Sequence, residues 1–271
     1  MPESVLWPET RDGLKRSVMS ASANLETPYN GPRLWLVGTP IGNLEDLVPR
    51  AARILSEVSV IACEDTRTTR RLLDLAGITP PRLIACHDHN EQSSAGGIVK
   101  LLEQGESVAL VSDAGMPAIS DPGYRVVRAV IEAGFEVSAV PGPSSVLTAL
   151  AVSGLPTDRF TFLGFAPRKS GKRQRWLEPF KADPATLIIM ESAQRLSETL
   201  ADAAAVLGER QGAVAFELTK AFERVHRGTL PELAARYSEP PLGEAVIVIA
   251  GAVVVREKVN KYTPDGGKKK G

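Results

Sequence analysis

Residues 107–123 read Ser107-Val108-Ala109-Leu110-Val111-Ser112-Asp113-Ala114-Gly115-Met116-Pro117-Ala118-Ile119-Ser120-Asp121-Pro122-Gly123. Four apolar residues, 108–111, are bounded by polar ones, the mark of a buried strand. Two glycines, two prolines and two aspartates follow, and then Val126, Val127, Val130 and Ile131 recur at helical spacing. A buried strand therefore leads through a rigid loop into a helix. In open α/β sheets such loops lie at the carboxyl ends of the strands, where ligands bind. Gly115 lets backbone approach closely, Pro117 and Pro122 fix its path, and Asp113 and Asp121 offer carboxylates. A tight turn with no ligand uses the same residue types.

Outward from this stretch the same alternation repeats. Strands are expected at 34–37, 58–62, 83–85, 108–111 and 137–140. Helices are expected at 47–58, around 72–75, at 92–104, at 124–133 and from Pro143 to about 153. Strand–helix alternation of this kind predicts a doubly wound parallel sheet. Gly154-Leu155-Pro156 then breaks the chain, and a second α/β unit follows. Its strands are expected at 160–165, 186–190, 213–218 and 244–250, its helices at 196–207 and 230–237, with a basic loop over 166–175. The domain reading is an N-terminal extension over 1–31, one α/β domain over 32–154, a second over 155–256 and a basic tail over 257–271. The first and last segments lack periodicity and are read as disordered.

Composition bounds the function. The 271 residues carry 32 Lys+Arg and 32 Asp+Glu, so formal charge is zero and any nucleic-acid contact must rest on a local patch. No apolar run approaches a membrane span and no secretory core is present, so a cytoplasmic protein is expected. The two cysteines, Cys63 and Cys86, then read as reduced thiols.

Five further stretches could carry chemistry. Gly38-Thr39-Pro40-Ile41-Gly42-Asn43 follows the first strand but lacks the glycine spacing of a dinucleotide fingerprint and the Gly-Lys-Ser/Thr of a P-loop. A nicotinamide dehydrogenase is thereby disfavoured. Pro141-Gly142-Pro143-Ser144-Ser145 places a helix N-terminus and two hydroxyls on the same sheet edge, suited to an anion or simply to capping. Cys63-Glu64-Asp65-Thr66-Arg67 sets two carboxylates beside arginines, with Arg70 and Arg71 one turn on; Asp65 could equally cap the helix. His87-Asp88-His89-Asn90-Glu91 lacks a partner cluster, and no metal is expected. Arg168-Lys169-Ser170-Gly171-Lys172-Arg173-Gln174-Arg175 holds five positive charges in eight residues, while the rest of the chain is net acidic. It is the best local candidate for a nucleic-acid backbone.

Taken together and in order, several motifs carry a resemblance: 36–44 (Leu-Val-Gly-Thr-Pro-Ile-Gly-Asn-Leu), Glu64-Asp65-Thr66-Arg67, Ser112-Asp113-Ala114-Gly115, Ile119-Ser120-Asp121-Pro122-Gly123, Pro141-Gly142-Pro143-Ser144, Ser153-Gly154-Leu155-Pro156 and Glu217-Leu218-Thr219-Lys220. Over about residues 33–251 the chain closely resembles the ribosomal RNA small subunit methyltransferase I family of the tetrapyrrole methylase superfamily. The resemblance implies two α/β domains of the tetrapyrrole methylase type, with S-adenosylmethionine in the cleft between them, and a homodimer. It implies methyl transfer to the ribose 2′-hydroxyl of a cytidine in the decoding region of 16S rRNA, within the small ribosomal subunit. Its cofactor segments match Thr39, Pro40, Asp113, Ala114, Gly115, Met116, Ser144, Ser145, Phe165 and Glu217. Glu64, Asp65 and Glu191 are the carboxylates available as general base, and Arg67, Arg168, Lys169, Lys172 and Arg173 the cations for RNA phosphates.

Two departures stand out. Met116 occupies a position where the family usually has Thr. Glu191-Ser192-Ala193-Gln194-Arg195 replaces the family's Glu-Ser-Pro-His-Arg, so no histidine there can serve as base. A tetrapyrrole or protein side-chain methyltransferase using the same cleft, and a non-catalytic RNA-binding assembly factor, are the alternatives.

Overall fold

The computed structural model describes residues 31–88, 90–239 and 242–253. The expected N-terminal extension and basic tail, and His89, lie outside them. Five strands, β1 (Arg33–Val37), β2 (Val60–Cys63), β3 (Arg82–Ala85), β4 (Val108–Val111) and β5 (Glu136–Val140), form a wholly parallel sheet in the order β3-β2-β4-β1-β5. The apolar run of β4 has a direct cause. Val108 and Leu110 pack with Ile98, Leu102, Val126 and Val130 of helices α3 (Glu91–Glu103) and α4 (Tyr124–Glu132). Ala109 and Val111 pack on the opposite face with Ala51, Leu55 and Leu73 of α1 (Pro49–Glu57) and α2 (Thr66–Leu75). A strand covered on both faces has no polar side to show.

The second sheet joins β6 (Phe160–Phe165), β7 (Thr186–Ser192), β8 (Gln211–Phe216), β9 (Arg224–Thr229) and β10 (Glu244–Ile249) in the order β6-β7-β10-β8-β9. Only β6 and β7 run parallel. One face, with Leu187, Ile189, Val214 and Ile247, buries against α6 (Ser170–Leu177), α7 (Leu196–Leu207) and α8 (Leu230–Arg236). The other takes α5 (Ser145–Ser153) through Val146, Ala149 and Leu150 against Ile188, Ala213, Val246 and Val248. So α5 ends at the sequence break, where Gly154 turns left-handed at φ 76°, yet packs on the sheet beyond it.

Three local expectations need correcting. Residues 170–177 are helical rather than loop, because Arg173 and Leu177 supply a buried stripe that the charges mask. Strand β9 was not anticipated: an edge strand with polar residues at most positions needs only its six paired positions on β8. Pro143 precedes the cap of α5 instead of opening the helix; Ser144 is the cap, its hydroxyl accepting from the Leu147 amide at 3.4 Å. Among the described residues, no helix is long and apolar enough to cross a membrane.

Candidate active site

The loops after β1, β4 and β5 meet at the carboxyl edge of the parallel sheet. Thr39 and Gly115 exchange backbone hydrogen bonds of 2.9 and 3.1 Å, tying the first loop to the fourth. The buried Thr39 hydroxyl donates to the Ser112 carbonyl at 3.2 Å. The first and fifth loops meet backbone to backbone at two glycines. A Cβ on Gly38 would sit 2.6 Å from the Gly142 Cα, and one on Gly142 would sit 2.7 Å from the Gly38 Cα. Backbones can approach this closely only where neither residue has a side chain. Across the cleft, a Cβ on Gly42 would fall 2.5 Å from the Lys220 Cγ, so the loop after β1 also abuts the second domain. Around this junction Ala118, Ser120, Glu217 and Thr219 hold left-handed φ angles of 67°, 65°, 48° and 66°. Such conformations persist only where their surroundings enforce them, and they gather at ligand sites.

Between the two sheets these loops enclose a cavity of about 350 Å³. Six carboxylates line it, from Glu64, Asp113, Asp121, Glu191, Glu217 and Glu244, against the single cation of Lys220. The two walls treat that charge differently. On the first, burial raises the Glu64 carboxyl above its ordinary range, and the charges of Asp121 and Asp113 add to it. Asp113 and Asp121 are raised likewise, burial first and neighbouring aspartates after. On the second, the Glu217 carboxylate accepts from Lys220 Nζ at 2.9 Å and from the Glu244 amide at 3.0 Å. Burial pushes it up, but those bonds and the lysine charge outweigh burial and hold it below its usual value. Glu191, 2% exposed, pairs with Arg195 at 3.2 Å and accepts from the Thr199 hydroxyl at 2.7 Å.

Eleven residues singled out from sequence line the cavity: Glu64, Asp113, Ala114, Gly115, Met116, Asp121, Ser144, Ser145, Phe165, Glu191 and Glu217. Thr39 and Pro40 do not; Thr39 instead secures the loop that does. Asp65 is a helix cap, its carboxylate accepting from the Arg67 amide at 2.8 Å and from the Arg67 guanidinium at 2.7 Å. Those bonds draw it down to about 2, which makes it a poor base. Glu191 is corrected from base to buried structural anion by its three donors, the third being the Ser192 amide. Arg173 is corrected most sharply. It is 1% exposed, its Nε and Nη2 both 2.6 Å from a single Asp202 oxygen, Oδ2, and is therefore withdrawn from any RNA surface. The Ser170 hydroxyl and the Gln174 amide also donate to Asp202, so one carboxylate docks α6 on α7. Arg168, Lys169 and Lys172 stay exposed, as does Arg67. Glu91 accepts from the Gly123 and Arg125 amides at 2.8 and 2.9 Å and caps α4 from a neighbouring helix.

Sequence reasoning missed Lys220, Glu244, Ile41 and Ile119 as cavity residues. For Lys220 the signal was there, in the Glu217–Lys220 motif. For Glu244, a lone acid opening an apolar strand, there was none. Met116 fills the wall beside Gly38, where a Cβ would meet its sulfur at 2.7 Å. Gln194, in the family's histidine position, is exposed and does not line the cavity. Both cysteines are free and buried.

The lining fits a ligand that carries a cation and hydroxyls, through the excess of carboxylates and the serine hydroxyls, together with a carboxylate for the helix N-terminus at Ser144 and Ser145. Comparison with known proteins agrees in kind. The family model described as Tetrapyrrole (Corrin/Porphyrin) Methylases matches residues 33–234. The chain is 49% identical to the ribosomal RNA small subunit methyltransferase I of Mesorhizobium japonicum over 224 residues, 82% of this chain and 76% of that one. It is 48% identical to the protein of that name from Escherichia coli O157:H7, over 81% of this chain and 78% of that one. Among solved structures it is similar to uroporphyrin-III C-methyl transferase from Thermus thermophilus, complexed with S-adenosyl homocysteine. There the TM-score is 0.57 at 22% identity, covering 80% of this chain and 96% of that one. It is also similar to a diphthine synthase, with a TM-score of 0.62 at 11% identity, over 80% of this chain and 89% of that one. At such identities the structures speak for the fold alone.

Proposed function

This chain belongs to the ribosomal RNA small subunit methyltransferase I family, within the tetrapyrrole methylases, and we propose that it methylates the ribose 2′-hydroxyl of a cytidine in the decoding region of 16S rRNA. As a member it is an S-adenosylmethionine-dependent methyltransferase. The observation that carries the reading is the charge of the cavity, six carboxylates to one lysine at the carboxyl edge of a parallel sheet. That charge favours a sulfonium cofactor over a phosphate-bearing one.

The donor supplies an already activated methyl group, so the protein's part is positioning and proton removal. Asp113, Ala114, Gly115, Met116, Ser144, Ser145 and Glu217 are the cavity residues we assign to the cofactor side, with Thr39 and Pro40 shaping the loop beneath; Phe165, which the resemblance also gives to the cofactor, stands at the cavity mouth. Glu64 is the general base. It alone of the three carboxylates considered lines the cavity, keeps a raised carboxyl and is not tied up by a cation. A hydroxyl is a weak acid, and a base of raised pKa takes its proton better as the new bond forms. RNA phosphates meet a repulsive interior and stay outside, on Arg67, Arg168, Lys169 and Lys172. The 16S rRNA of the small subunit as partner, a homodimeric state and a cytoplasmic site follow from the resemblance and complete the reading.

The test is methyl transfer from labelled S-adenosylmethionine to small ribosomal subunits lacking the modification, with bare 16S rRNA alongside. Label on a cytidine 2′-oxygen supports the reading, and the better substrate tells which form is recognised. No label on either RNA, with cofactor still bound, returns the weight to a tetrapyrrole or protein substrate.

A further inference from the structure

The mouth of the cavity carries two large apolar side chains that no core buries. Phe165, at the end of β6, is 59% exposed, and Ile119, in the loop after β4, is 52% exposed; both line the cavity. Burying such a side chain is worth about 1.5–3 kcal/mol, and both forgo much of it. Neither is loosely mounted. The carbonyls of Ala166 and Pro167, just after Phe165, accept from Arg195 Nη2 at 2.8 and 3.0 Å. Arg173 Nη1 donates to the Pro167 and Arg168 carbonyls at 3.3 and 3.4 Å. Ile119 sits between two left-handed residues, Ala118 and Ser120, in a turn closed by the Ala118 amide on the Pro122 carbonyl at 3.3 Å. The two segments adjoin, since a Cβ on Gly164 would lie 3.9 Å from the Ser120 Oγ.

We propose that Phe165, with Ile119 beside it, is the platform on which the base of the target nucleotide stacks once it is turned out of the RNA. The inference rests on the RNA reading above and moves Phe165 from the cofactor to the substrate. Its logic is electrostatic and steric. Carboxylates inside the cavity repel phosphates, so a nucleotide enters by its sugar and base with its backbone outside. The exposed cations Arg168, Lys169 and Lys172 begin three residues beyond Phe165. That is about 10 Å at most along extended chain, the scale of one nucleotide. Single-stranded RNA is recognised by splaying bases onto aromatic side chains beside a basic track. Here the aromatic ring, the basic track and the opening toward the half-buried Glu64 are set on one rigid segment and the loop facing it.

The experiment uses the full chain with Phe165→Ala, Phe165→Leu and Phe165→Trp. It measures kcat and KM for small ribosomal subunits, S-adenosylmethionine affinity by calorimetry, and the thermal midpoint as a fold control. Phe165→Ala is expected to lower kcat/KM for subunits on the order of ten-fold or more. Cofactor affinity should stay within about two-fold, as for a side chain that touches only the RNA base. Phe165→Trp should restore turnover where Phe165→Leu does not, because stacking needs a π face. A loss of cofactor affinity that parallels the loss of turnover overturns the proposal and returns Phe165 to the cofactor. Wild-type kcat/KM in Phe165→Ala overturns it while leaving the RNA reading intact. A wild-type protein that labels no RNA overturns both.

Discussion

The two walls of the cleft carry comparable numbers of carboxylates and use them in opposite ways. On the parallel-sheet wall, Glu64, Asp113 and Asp121 lie on loops, and burial raises all three; neighbouring acids add to it, Asp121 and Asp113 for Glu64, Asp113 and Asp88 for Asp121, and Asp65 for Asp113. On the mixed-sheet wall each acid has a cation: Glu191 has Arg195, Glu217 and Glu244 share Lys220, and behind them Asp202 has Arg173. An unpaired acid is poised to accept a proton or attract a cation, whereas a paired one is spent on holding backbone. The difference teaches that only the first wall has carboxylates free of a cation, which is why the proposed base is placed there, while the second wall uses its acids to hold geometry.

The sharpest way to break that contrast is to make the same isosteric change on both walls. Glu64→Gln should reduce methyl transfer by about 10²–10⁴-fold with no loss of stability, since a general base contributes on that scale. Glu191→Gln should instead lower stability by roughly 1–3 kcal/mol, the cost of leaving a buried donor of Arg195 without its anion. Denaturant melts and single-turnover rates on the two variants decide it; a Glu64→Gln enzyme of near-wild-type rate would move the base elsewhere. Next in size is Asp202→Ala, which strips the buried Arg173 of the carboxylate that holds its Nε and Nη2 and leaves Glu198, at 3.6 Å, as its one anion among the described residues. Breaking a buried pair costs about 3–5 kcal/mol, read from urea unfolding. Because α6 loses its dock, RNA affinity should fall as well, while cofactor affinity holds.

The same division decides what could be read from sequence. The first domain is regular: each strand is a short apolar run, each helix has a 3.6 period, and the loops fall where the pattern changes. Its strands were accordingly found within two residues, and with them Glu64, Asp113 to Met116, Ser144 and Ser145 at the cavity. The second domain hides its signals. In Arg168–Arg175 one arginine points inward to Asp202 while its neighbours face water, and a charge run does not say which; that depends on α7, some thirty residues away. Strand β9 offers Val225 as its sole large apolar residue, and Glu244 becomes a cavity residue only because β10 sits between β7 and β8. What was illegible in each case was set by long-range pairing, not by local pattern.

A smaller effect tests the outer surface of the holding wall. Arg168→Ala with Lys169→Ala removes two exposed cations that pair with no acid among the described residues. RNA binding should weaken and the slope of log K against log salt should flatten by about 1.5–2, as two phosphate contacts require. Cofactor affinity should not change. An unaltered salt slope would show that this segment does not face the backbone.

The smallest effect is the most specific to the unpaired wall. After burial, the charge of Asp121 contributes most to the raised carboxyl of Glu64. A base must be ionised to act, so kcat/KM should fall on the acid side through a value above the ordinary glutamate range. Asp121→Asn removes one negative neighbour, eases ionisation of Glu64 and should move that acid limb to lower pH. Stability supplies an independent sign. A carboxyl whose pKa is raised by folding contributes most below its unfolded value and loses that contribution as pH rises through its folded value. With Asp121 gone, this loss is smaller, so Asp121→Asn should gain stability relative to wild type on going from acid to neutral pH. Asp65, drawn down to about 2 by Arg67, behaves oppositely: its contribution is present at neutral pH and lost only as pH falls toward that value. If the acid limb of Asp121→Asn stays in place or moves up, Asp121 does not act on Glu64, and the raised carboxyl of Glu64 reduces to burial and its other neighbours.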